Sequence, residues 1–218
     1  MQSFKQHHTQ MLEEGKFGNY LKAATLATMV GSSAPGNPTH DYKVDSSVQQ
    51  AANPSVPNTK FNSDTLFKQL VKHEGYKKHI YKDTKNVPTI GIGFNLNDRN
   101  NQRILAKYGI SQKELHNGLT DLEIKQLYND TVQIAIATAK HFIPSFDSLP
   151  PNVQLALIDL SFNLGSNKLA EFKRFRQALI KKDFNAASAE LKNSNWFHQV
   201  GNRGPDLVNQ IKSASSSK

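Results

Sequence analysis

With 218 residues and no cysteine, the chain can hold one domain of about 150 residues plus an appendage, and a disulfide-stapled fold is excluded. Its net charge of +9 suits a polyanionic target and raises nucleic acid as a rival partner. That rival lacks support, because the sequence has no helix-turn-helix, zinc-finger or RNA-binding signature and its basic residues are scattered rather than interleaved with aromatics.

Residues 1–60 carry five Lys against four acids, and residues 61–218 carry 22 Lys and Arg against 14 acids, so the excess charge belongs to the second part. Met1 to Val30 is expected to form one or two short helices anchored by Phe4, Met11, Leu12 and Phe17. Within it, Ala23 to Val30 is apolar for only eight residues, too short to span a bilayer. The small residues Gly31 to Ala34 give this segment the outline of a secretory signal, but Glu13, Glu14 and the long lead before it argue against export. Residues 31–60 hold four Pro among many Ser, Asn and Gly and read as an extended linker. The expected boundaries are therefore 1–60 for an N-terminal extension and 61–218 for the folded domain.

From Leu66 to Glu74 the apolar residues Leu66, Phe67, Leu70 and Val71 recur at helical spacing. Ser63 or Asp64 is the expected N-cap, and Gly75 suits the position just past the end. Glu74 falls on the apolar stripe, where a carboxylate must be paired or held protonated. A general acid needs such surroundings. After Gly75 the periodicity changes: Ile80-Tyr81 and Thr89 to Ile92 read as two short strands joined by the polar turn Lys82 to Asn86. Asp83 in that turn is expected to be solvated and available as a base. Gly91 and Gly93 leave a strand face open to the approach of a ligand or another backbone.

A helix is expected from Asp98 to Tyr108, ended by Gly109. Ser111 to Glu114 and Thr120 to Glu123 each spell a capping box. The second opens a long helix whose stripe, Leu122, Leu127, Tyr128, Val132 and Ile136, continues to about Phe142 before Pro144 stops it. Ser148 is the expected cap of the next helix, with Pro150 in its first turn. From Val153 to Leu164 that helix is apolar on most sides, as a buried one is; Asp159 within it is read as a satisfied structural carboxylate. Leu169, Phe172, Phe175 and Leu179 form a further stripe, with Lys173, Arg174, Arg176, Lys181 and Lys182 as a solvated face. Asp183 caps a short helix through Leu191, and Trp196 is expected to pack at a cleft edge. The eight His show no metal-ligand spacing, so neither metal nor cofactor is expected.

Three blocks carry a family resemblance. The first is His73-Glu74-Gly75, Ile80-Tyr81-Lys82-Asp83-Thr84 and Pro88-Thr89-Ile90-Gly91-Ile92-Gly93. The second is Ala156 to Gly165, and the third is Ser194-Asn195-Trp196 with Asn202-Arg203. Together they resemble the phage-type lysozymes, the family of the T-even phage lysozyme and glycoside hydrolase family 24. The likeness runs over about residues 62 to 212.

The resemblance implies an α+β, mostly α, two-lobe fold: a small β-hairpin lobe and a larger helical lobe joined by a long helix. It implies hydrolysis of the β-1,4 bond between N-acetylmuramic acid and N-acetylglucosamine in bacterial peptidoglycan. Glu74 would protonate the leaving oxygen, Asp83 would activate or steer a water, and Thr89 would hold that water. An inverting enzyme of this kind has carboxylates about 6.5–9.5 Å apart. Phe162 and Asn163 match cleft residues that contact glycan, and Glu190 stands where a relative carries an Asn that reaches substrate. Arg203 matches an Arg that pairs with the acid, with Asn202 beside it as support. Phe94 stands where many relatives have a His that serves as an ion-pair partner, which bears on stability rather than chemistry.

The implied setting is a tailed phage: an endolysin passing from host cytoplasm to periplasm at lysis, or a virion-borne enzyme. A monomer is expected, with peptidoglycan as partner, no nucleic acid and no membrane span. Residues 1–60 are the part that could join other virion proteins, and Leu12-Glu13-Glu14-Gly15 resembles a prohead-protease site. The alternatives are a wall-binding virion component that keeps the fold without strong catalysis, and a bacteriocin muramidase domain.

Overall fold

The computed structural model describes residues 61–216. The expectations for the N-terminal helices, the signal-like segment, the cleavage-like site and the linker lie outside the described residues.

Helix α1, Ser63–Glu74, begins one residue earlier than either expected cap allows: Asn62 is the N-cap, and its side-chain oxygen accepts from Asp64 N at 2.8 Å and Thr65 N at 3.0 Å. Asn satisfies two of the orphan donors of the first turn. At the other end Gly75 adopts φ 80° and donates its N–H to the Val71 carbonyl, which turns the chain away directly behind Glu74.

The expected hairpin is a three-stranded antiparallel sheet in the order β1-β2-β3. Strand β1 is Lys77–Lys82, β2 is Pro88–Gly91 and β3 is Phe94–Asn95. The third strand, at two residues, is too short to show alternation in the sequence. Phe94 pairs with Ile90 and is buried, so this position, where the resemblance leads one to expect a His, is part of the core. Strand β1 is the exposed edge, with three lysines along it, and a register shift between Lys77 and Tyr81 interrupts its pairing. Charge and irregularity both discourage edge-to-edge association.

Helices α2, Arg99–Tyr108, and α3, Gln112–Asn117, follow. Both predicted capping boxes are present, Ser111 with Glu114 and Thr120 with Glu123. The second opens the 22-residue helix α4, Asp121–Phe142. Its buried stripe is Ile124, Leu127, Tyr128, Val132, Ala135, Ile136, Ala139 and Phe142, whereas Leu122 is 57% exposed. Two residues from Ile124, Leu122 points to nearly the opposite side of the helix. Near its start α4 meets the sheet, where Gly91 lies against Ile124. Tyr76 and Lys78 both donate to Asp121 at the first turn, and Leu119 N donates to the Lys78 carbonyl. These bonds tie the sheet to the long helix.

Helix α5, Pro151–Leu169, packs against α4 and forms the centre of the helical lobe. Ser148 does not cap it: that residue closes a 3-10 turn, Phe146–Ser148, and Pro151 occupies the first helical position after Pro150, where a missing N–H costs nothing. Gln154, fully buried, donates to the Phe146 and Leu149 carbonyls and satisfies the turn. Residues Val153 to Ser161 are all buried. Gly165, at φ 67° and ψ 174°, breaks the helix. Around α5 stand α6, Lys173–Ile180, α7, Phe184–Lys192, α8, Asn195–Gln199, and α9, Arg203–Lys212. Asp183 caps α7 as expected.

No helix among the described residues is long and apolar enough to cross a membrane.

Candidate active site

Glu74 is the last residue of α1, and its position follows from how that helix ends. Leu66 and Leu70 are buried, fixing the helix rotation, and the Gly75 turn leaves the Glu74 side chain at the junction of α1, the sheet and α9. The side chain is 19% exposed. Arg203 Nη1 donates to Glu74 Oε1 at 2.6 Å. The other carboxylate oxygen lies over Gly93, where an added Cβ would stand 2.6 Å from Oε2. The openness expected of the glycine strand is thus used by a side chain at Gly93, and by Ile124 at Gly91.

Asp83 sits in the β1–β2 turn and is half-buried rather than fully solvated. Its Oδ1 accepts from Lys85 N and Val87 N, each at 2.8 Å. Asn86, with φ 61°, lets the turn close. Among the described residues no other hydrogen bond reaches this carboxylate, so Oδ2 is the oxygen available to solvent or ligand.

Thr89 on β2 is buried, and its hydroxyl donates to the Val87 carbonyl at 3.0 Å. A hydroxyl that has donated its proton still offers lone pairs, so Thr89 Oγ1 can accept from a water. Tyr81 links the two acids. Its hydroxyl donates to the Glu74 carbonyl at 3.4 Å, and its ionisation is pushed up by burial, then by the negative charges of Glu74 and Asp83. Both carboxylates therefore lie within electrostatic reach of one phenol.

Arg203 opens α9 and is buried. Its Nε donates to Asp159 Oδ1 at 2.7 Å, and Nη2 lies equally close to that oxygen. Burial works against the guanidinium charge, but Asp159 and Glu74 outweigh it and raise its ionisation further. Asp159 is fully buried and satisfied as expected; burial would raise it, but His73 and Arg203 hold it below the usual carboxylate range.

The remaining predicted residues are more dispersed. Phe162 is half-buried on α5 and packs against the core. Asn163 is exposed, and its Oδ1 accepts from Trp196 Nε1 at 2.8 Å. Glu190 is half-buried on α7 and shares no hydrogen bond with the Glu74 cluster. Asn202 is exposed and makes no side-chain cap to α9. Sequence reasoning missed Tyr81, Gln69 and His73 as members of the network. The signal for two of them was present: Gln69 and His73 are four apart and share a helix face with each other. Among the described residues no cluster of His, Asp or Glu could hold a metal ion.

Comparison with known proteins places the chain in a family. The profile of the phage lysozyme family matches residues 71–213. "Probable T4-type lysozyme 1" of Dictyostelium discoideum is 28% identical over 162 residues, covering 68% of this chain and 94% of that protein. "Probable T4-type lysozyme 2" of the same organism is 26% identical with the same coverage. "Pre-baseplate central spike protein Gp5" of Enterobacteria phage T4 is 21% identical over 205 residues, 86% of this chain but only 35% of that protein. The chain belongs to the phage lysozyme family, and so to the muramidase-like glycoside hydrolases.

Proposed function

We propose that the protein hydrolyses the β-1,4 bond between N-acetylmuramic acid and N-acetylglucosamine in bacterial peptidoglycan, with inversion at the anomeric carbon. Glu74 gives its proton to the leaving glycosidic oxygen. On the opposite face of the ring a water donates one hydrogen to Asp83 Oδ2 and the other to Thr89 Oγ1. That leaves a lone pair aimed at the sugar carbon. The C–O bond to the leaving sugar breaks as the water bond forms, and Asp83 ends with the water's proton. The step needs neither metal nor cofactor. What supports this reading is the shared electrostatic neighbourhood of Glu74 and Asp83 at Tyr81.

Glycan contacts are assigned to Phe162, Asn163 and Glu190. Trp196 can only donate, so Asn163 turns its oxygen to the indole and offers its NH2 group outward. That donor suits the carbonyl of an N-acetyl group. Asn202 and Arg203 are assigned as support for the acid.

The setting proposed is a phage virion, supported by the similarity to Gp5, with residues 1–60 as the segment that joins other virion proteins. Mass spectrometry of purified particles should find the chain; its presence only in lysed cells would make it an endolysin instead.

The test of the chemistry is product analysis on purified peptidoglycan. Reducing muropeptides, released as the α-anomer, are expected from the wild type, and Glu74→Gln and Asp83→Asn should release almost none. Anhydro-muropeptides would mean transglycosylation. Release by Glu74→Gln at the wild-type rate would mean that the acid is misassigned, and no release by the wild type would favour the wall-binding component that the sequence left as a rival.

A further inference from the structure

Behind Arg203 lies a chain of alternating charges that the chemistry above does not use. His73, the neighbour of Glu74 in α1, has a side chain only 4% exposed. Its Nδ1 lies 2.8 Å from Asp159 Oδ2 and its Nε2 lies 3.1 Å from Asp206 Oδ2. Ionised carboxylates only accept, and a neutral imidazole has a single N–H. Both contacts are satisfied together only by the imidazolium.

We infer that His73, through Asp159 and Arg203, is a positioning residue for Glu74, and that its doubly protonated form is the active one. The inference rests on the reading of Glu74 as the acid. Asp159 Oδ2 also accepts from Gln69 Nε2 at 2.7 Å, while Oδ1 takes Arg203 Nε. With His73 charged, Asp159 has a second cation beside it, and Arg203 Nη1 can stay on Glu74 Oε1, an oxygen that accepts whether or not Glu74 carries its proton. Once His73 loses its proton, Asp159 depends on the guanidinium alone. Asp159, being fully buried, cannot turn to solvent, so it draws Arg203 and loosens the hold on Glu74 Oε1.

The charged groups facing the ring are Asp159 from α5 and Asp206 and Arg203 from α9, with Lys72 of its own helix bound to Asp206. Burial disfavours the charged ring and Arg203 opposes it. The hydrogen bonds and attraction of Asp159, with the bond to Asp206, outweigh both, and His73 titrates above its ordinary value. A surface groove lined by Thr65, Lys72, Asp206 and Asn209 reaches the ring, giving solvent protons a route.

The experiment compares full-length wild type, His73→Gln and Asp206→Asn. It follows the His73 ring nitrogens by NMR as pH rises, and kcat and KM on peptidoglycan over the same range. His73→Gln should lose about 10- to 100-fold in kcat at little change in KM, as a misplaced catalytic group does. Asp206→Asn, which alters a half-exposed residue, should move the His73 midpoint downward and carry the alkaline limb of kcat down by the same interval. A limb that stays in place while the midpoint moves overturns the inference, as does a midpoint that Asp206→Asn leaves unchanged. Glu74→Gln separates this from failure of the underlying reading: if that variant stays active, the acid is misassigned whatever His73 does.

Discussion

Arg203 and Glu74, 129 residues apart in sequence, meet at 2.6 Å through Nη1 and Oε1. The guanidinium can reach Glu74 in one orientation because its opposite edge is fixed on Asp159. The fork is planar and rigid, so holding one edge aims the other.

Replacing Arg203 should therefore affect both stability and rate. Arg203→Gln leaves Asp159 buried with only His73 as a cation beside it. Removing one partner of a buried ion pair costs about 3–5 kcal/mol. Urea unfolding should show a loss of that order, and kcat should fall about 100-fold. Arg203→Lys keeps the charge but not the fork, so it should recover part of the stability and little of the rate.

Gly93 is required for two independent reasons. Its φ of +63° disfavours any side chain, and a Cβ would stand 2.6 Å from Glu74 Oε2. Gly93→Ala should cost about 1–2 kcal/mol through the backbone. It should also displace the acid and lower kcat about 100-fold. Gly109 is the control: its φ of +67° is similar but nothing lies near an added Cβ. Gly109→Ala should show the stability loss in thermal unfolding and leave the rate alone.

Thr89 separates hydroxyl from shape. Thr89→Val is nearly isosteric and removes one of two donors to the Val87 carbonyl, which keeps the Asp83 N–H, at a cost of about 0.5–1.5 kcal/mol. It also removes the oxygen that accepts from the attacking water. Thr89→Ser keeps that oxygen. Initial rates of muropeptide release should fall at least about tenfold for Val and much less for Ser.

The helical frame was legible because its signals are local. The capping boxes at Ser111 and Thr120, the apolar run of α5 and the glycine after Glu74 each state a structure within a few residues. Where local signals were short or displaced, the reading slipped. Strand β3 is two residues long, Pro150 rather than Ser148 holds the cap position of α5, Asn62 takes the cap from Ser63, and Leu122 lies on the exposed side of α4. Glu74 and Asp83 could be proposed as the acids from spacing and resemblance. The arrangement that holds them could not, because Asp159 and Arg203 lie 85 and 129 residues beyond Glu74. Their meeting is decided by how α5 and α9 pack, and no periodicity within one helix records that.

Stability should depend on pH through the same buried cluster. His73 is raised in the folded state from its ordinary value of 6.5 by Asp159 and Asp206, acting against burial. Its contribution is therefore complete below about pH 6.5 and is lost as pH rises through the folded value. Asp159 is lowered from its ordinary 3.8 by His73 and Arg203, again against burial. Its contribution is complete above about pH 4 and is lost as pH falls through the folded value. Tm should then be highest between roughly pH 4 and 6.5 and decline on both sides. His73→Gln should flatten the alkaline decline by removing the titrating ring. A Tm that rises from pH 6.5 to 8 in the wild type would contradict an imidazolium held between two carboxylates. Moderate salt should leave the alkaline arm nearly in place, because His73 and Asp159 are buried and screened far less than surface pairs.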